Sequence, residues 1–92
     1  MFTSNRRQFE RVEITEHAIA VNDKGLQLGP VTEASGGGML IQANNAEALA
    51  LMPVGRRMRV TVVEPNLGTT NTLDVEVLYV RNNAVGMKFV QA

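Results

Sequence analysis

Apolar and polar residues alternate along most of this chain with a period of two, the pattern of half-buried antiparallel strands. In residues 72–80, Leu73, Val75, Val77 and Tyr79 share one face, and Asp74 and Glu76 share the other. Leu78 and Val80 make the far end apolar on both faces, which predicts a covered outer surface there. Residues 57–64 set Met58, Val60 and Val62 against Arg59, Thr61 and Val63. The turn residues of EPNLG (64–68) separate these two strands. RNNAVG (81–86) predicts a hairpin turn into a last strand, with Val85, Met87 and Phe89 pointing inward.

The front of the chain is similar. Val12 and Ile14 alternate with Glu13 and Thr15, but by Ile19 and Val21 the apolar parity has flipped, which predicts a bulge or bend near His17. After the turn NDKG (22–25), Leu26 and Leu28 resume the alternation, Pro30 marks an edge or a break, and Met39 and Ile41 share a face of a short strand. One stretch breaks the pattern. NNAEALALMPVG (44–55) begins with an asparagine cap, continues with helix formers and stops at Pro53 and Gly55. It predicts a helix of about two turns at most, plugging one barrel end with Leu49 and Met52. Six strands near 11–21, 26–33, 38–43, 57–64, 71–81 and 85–90 predict an all-β fold, a small six-stranded antiparallel barrel. Residues 1–10 read as a flexible arm, and residues 1–92 as a single domain.

Composition narrows the function. The absence of cysteine removes disulfides and thiolate chemistry. No apolar run approaches the ~18 residues that span a bilayer, and no signal peptide opens the chain, so we expect a cytoplasmic protein. Zero net charge argues against a nucleic-acid polymer as partner. The basic residues cluster, however, with Arg6, Arg7 and Arg11 in one group and Arg56, Arg57 and Arg59 in another. The second group reads as a solvated strand start. His17 is the only histidine, which leaves no triad and no ordinary zinc site. Asp74 and Glu76 alternate on an outward face and solvate it. We therefore expect a non-enzyme with no catalytic residue, metal or cofactor.

Two short constellations remain. RQFER (7–11) sets two arginines four apart in the arm, where each can fork onto a phosphate or onto the O6/N7 edge of a guanine. EASGGG (33–38) spends three glycines after a serine, at a conformational cost of about 0.5–1 kcal/mol each relative to alanine. A loose hairpin turn is the simple account. Yet Ser35 can offer a hydroxyl to a phosphate or base, Gly38 can let a flat ring approach the main chain, and Glu33 can accept from the N1 and N2 donors of a guanine.

Together the two resemble the PilZ domain pattern: an RxxxR arm entering the first strand, then [Asp/Asn]-x-Ser-x-x-Gly between the second and third strands of a six-stranded barrel. VGRRMRVTV (54–62) and VGMKFV (85–90) are similar to that family's fourth and closing strands, so the resemblance covers nearly the whole chain. It implies a receptor for the bacterial second messenger cyclic di-GMP, with Arg7, Arg11, Ser35 and Gly38 on the ligand and Arg6 influencing whether one or two ligand molecules bind. It further implies a relay to an unknown downstream protein when the ligand orders the arm. Gly36 and Gly37 would then serve the turn alone, and Gly38→Val would impair binding while sparing the fold. Glu33 departs from the pattern, being one methylene longer than the usual Asp. A degenerate domain that binds proteins in motility or pilus machinery, and no nucleotide, is the alternative. Many members carry a helix after the barrel, whereas this sequence stops at Ala92, so the short helix or a partner is expected to cover the open end.

Overall fold

The computed structural model describes residues 18–90. Six strands and one helix follow one another as β1 (Ile19–Asn22), β2 (Gln27–Ala34), β3 (Gly38–Gln42), α1 (Ala46–Ala50), β4 (Arg57–Glu64), β5 (Thr69–Arg81) and β6 (Ala84–Phe89). Every pairing is antiparallel, and the strands close in the order β1-β2-β3-β6-β5-β4, with β4 returning to β1. Among the described residues closure leaves no strand at a sheet edge, so the ladder pairs most of its own backbone groups. Inward positions supply the core: Leu28, Ile41, Val60, Val75, Val77 and Val85 are fully buried. Burying a side chain of this size stabilises the fold by roughly 1.5–3 kcal/mol.

Local chemistry fixes the connections. Asn22 Oδ1 accepts from the Lys24 and Leu26 amides at 2.9 Å each, and Gly25 takes φ +85° to complete that turn. Asn82 turns β5 into β6 with φ +56°. Asn45 caps α1, its side chain accepting from the Ala48 amide at 2.8 Å. The helix is one short turn and more. It carries Ala48 inward, and Met52 just beyond it is fully buried in the core with Leu49 packed beside it. The expected plug is therefore present, at the end where β3 exits.

Three expectations are corrected. Ala20 faces the core, while Ile19 and Val21 are half-buried on the outer side. The inward position is filled by the small alanine and not by the bulkier apolar residues on either side of it. An irregularity does occur, between Ala20 and Val21; the region around His17 lies outside the described residues. Pro30 is neither edge nor break. It sits within β2 opposite Ile19, and Val31 donates to the Ala18 carbonyl across β1 at 2.7 Å. Alternation then turns Pro30's protonless nitrogen toward β3, whose ladder with β2 begins only at Val31–Ile41. Finally, Tyr79 and Leu78 are both about half exposed, at 49% and 47%. Among the described residues nothing covers the outer face there, and Tyr79 points away from Val75 and Val77.

Among the described residues none closes the end opposite the helix. Ala18, Val31, Met39, Leu73 and Phe89 border an apolar cavity of about 370 Å³ there. Among the described residues no helix is long and apolar enough to cross a membrane.

Candidate functional site

The second sequence motif is shaped by a register shift. Val31 pairs with Ile41, but Glu33, not Thr32, pairs with Leu40, and Ala34 with Met39. One extra residue on β2 thus reverses the alternation. Val31 packs on the core, so an unbroken strand would turn Glu33 inward too. A carboxylate there would be buried without a partner, at a cost of several kcal/mol. The bulge sends Glu33 outward and Ala34 to the side of buried Met39. Thr32 Oγ1 donates to the Leu40 carbonyl at 3.3 Å and covers the irregular stretch.

The loop that follows is tied down. The Ser35 amide donates to the Gly38 carbonyl at 2.9 Å, closing a turn around Gly36 and Gly37. Ser35 Oγ accepts from the Gly37 amide at 3.3 Å, and the Gly37 carbonyl accepts from Phe89 at 2.9 Å. The serine oxygen is thereby held while its proton stays available to an acceptor outside. Gly36 and Gly37 have open space where a Cβ would stand. Gly38 differs. A Cβ there would lie 2.2 Å from the Met87 carbonyl oxygen and 3.2 Å from Lys88 Cα. Gly38 is needed by the β3–β6 ladder itself, so the expectation that Gly38→Val spares the fold is overturned.

A second shift falls in β5. Val77 pairs with Met87 and Tyr79 with Gly86, leaving Leu78 extra. That bulge turns Tyr79 outward and returns Val80 to the core side. The outer wall can now be read across strands. One row runs Glu33, Leu40, Gly86, Tyr79; the next runs Gly38, Lys88, Glu76, Arg57. Each row contains a glycine at its middle or its start, and the missing side chains leave a hollow of about 200 Å³ lined by Glu33, Ser35, Gly38, Leu40, Tyr79 and Gly86. The structure thus brings Glu33, Ser35 and Gly38 together. Arg6, Arg7 and Arg11 lie outside the described residues. Tyr79, Leu40 and Gly86 were missed in the sequence, because their membership depends on two bulges that leave no residue-type signature.

Two arginines of the other group, Arg57 and Arg59, are accounted for. Arg57 Nε lies 3.4 Å from Glu76 Oε1, and Arg59 Nε lies 3.1 Å from Asp74 Oδ1. Both pairs stand directly opposite across β4 and β5, followed by a Thr61–Thr72 hydroxyl contact at 3.0 Å. This is a polar outer ladder, and Arg57 and Arg59 belong to it. Among the described residues no cluster of histidine and carboxylate side chains could hold a metal ion.

A closed six-stranded barrel with one capping helix and a glycine-floored hollow on its outer wall defines a small binding module. In comparison with models of known families, residues 5–92 match the PilZ domain, and the chain belongs to that family. The match spans both motifs, from Arg6 to Gly38 and beyond. PilZ domains are known as cyclic di-GMP receptor domains and are binding modules, not enzymes. Comparison with curated proteins and with solved structures gave no match.

Proposed function

We propose that this protein binds cyclic di-GMP on the outer wall of β2, β3 and β6, in the cytoplasm, and passes the signal to a partner protein. The observation that carries this reading is the bulge at Thr32–Glu33, which turns an acceptor carboxylate outward into the same hollow as the Ser35 hydroxyl and the bare backbone of Gly38. In this reading Glu33 accepts from guanine N1–H and N2–H₂, Ser35 donates to a phosphate or base, and Gly38 keeps the wall flat enough for a ring. Arg7 and Arg11 clamp the phosphates or guanine edges, and Arg6 adds a contact to an outer base. Arg11 stands seven residues before Ala18, which borders the open end beside Ser35. An extended span of that length reaches about 25 Å, enough to fold back over the hollow. Ligand-driven ordering of the arm then changes the surface a partner meets.

Glu33 favours a second reading, a barrel that has lost nucleotide and kept a protein partner. Calorimetric titration of cyclic di-GMP into wild type and Arg7→Ala, at two salt concentrations, separates them. Binding at micromolar Kd or tighter, abolished by Arg7→Ala, supports the receptor. No heat and no rise in melting temperature for the wild type supports the second reading.

A further inference from the structure

Tyr79 is exposed, yet it is not loosely held. A Cβ on Gly86 would lie 2.3 Å from one ring carbon of Tyr79 and 2.4 Å from another, so the ring lies directly across the bare backbone of that glycine. One side of the ring rests on β6, and about half of the residue stays open to solvent. Leu78, the extra residue of the same bulge, extends the apolar surface beside it. The ring shares the hollow with Glu33, Ser35 and Gly38, on the same cross-strand row as Glu33.

A flat, supported aromatic surface beside hydrogen-bonding groups suits a flat, polar-edged ligand. Purine bases stack on such rings with little dependence on hydrogen-bond geometry. An already immobilised ring loses little further freedom on binding. We infer that Tyr79 is a stacking platform for one guanine of the nucleotide, with Gly86 as its seat. The inference rests on the proposed receptor function and adds a base-binding residue outside both sequence motifs. It requires the ring and not the hydroxyl.

The sequence provides its own probe. Tyr79 is the only tyrosine and there is no tryptophan, so tyrosine emission reports this residue alone. Emission during a cyclic di-GMP titration, corrected against free tyrosine for nucleotide absorbance, should be quenched along the same saturation curve as the calorimetric heat. Tyr79→Phe should keep the wild-type affinity within about threefold, while Tyr79→Ala should weaken it by about tenfold or more. Should Tyr79→Ala lose its fold, the wild-type emission and Tyr79→Phe still decide. Calorimetric binding with unchanged emission, or equal affinity for a folded Tyr79→Ala, overturns the stacking role and leaves the receptor reading standing. No binding by wild type in calorimetry overturns both.

Discussion

At the scale of the residue, three glycines in a row have two different environments, open space at Gly36 and Gly37 and a neighbouring strand at Gly38. Gly38 lies so close to the Met87 carbonyl that any side chain must push β6 away. Gly38→Ala should lower stability by about 2 kcal/mol, seen as a fall in melting temperature of roughly 10 °C for a domain of this size. Gly37→Ala meets nothing within 4 Å and should shift stability by less than about 0.5 kcal/mol. Thermal unfolding of the two variants checks the contrast. Equal melting temperatures would contradict it. The sequence motif singles out Gly38 for a ligand's approach, whereas the structure shows a strand's approach there; both demand glycine, and composition alone cannot separate them. Ser35→Ala is the cleaner probe of binding, since the Ser35 backbone bond to Gly38 survives the change.

At the scale of the element, alternation was legible wherever strands ran without interruption. Residues 57–64 became β4 with the expected faces, and Val85 and Met87 are buried as the pattern required. It failed where a strand gained a residue. Nothing in Thr32-Glu33 or Leu78-Tyr79 announces a bulge, because the shift is set by the partner strand's register. The helix was legible from its ends, and its cap can be weighed. Asn45→Ala removes the acceptor for the Ala48 amide and should cost about 1 kcal/mol by chemical denaturation. The β4–β5 ion pairs are mostly solvated, with the Arg57 side chain 71% exposed. A double-mutant cycle on Arg57 and Glu76 should give a coupling below about 1 kcal/mol that shrinks as salt rises. A coupling of several kcal/mol, insensitive to salt, would mark a role beyond a surface ladder.

At the scale of the whole molecule, the barrel separates two tasks. The helix and Met52 fill one end, while the Ser35–Gly38 turn, the Phe89 end of β6 and Ala18 gather at the other. Met52→Ala should therefore destabilise the fold by about 2–5 kcal/mol and leave the hollow around Glu33 and Ser35 alone in whatever fraction remains folded. The strand count, the barrel and the family were legible in the sequence because period-two patterning and two short motifs survive without coordinates. The hollow was not, since it is assembled from four strands by pairing register. The most direct measurement of the central claim is a titration of cyclic di-GMP followed by amide chemical shifts. Saturable shifts should concentrate at Glu33, Ser35, Gly38, Leu40, Tyr79 and Gly86, with Asn45 and Ala48 unmoved. Saturable shifts centred on the helix end or on the Arg57–Glu76 ladder, or no shifts at all, would contradict it.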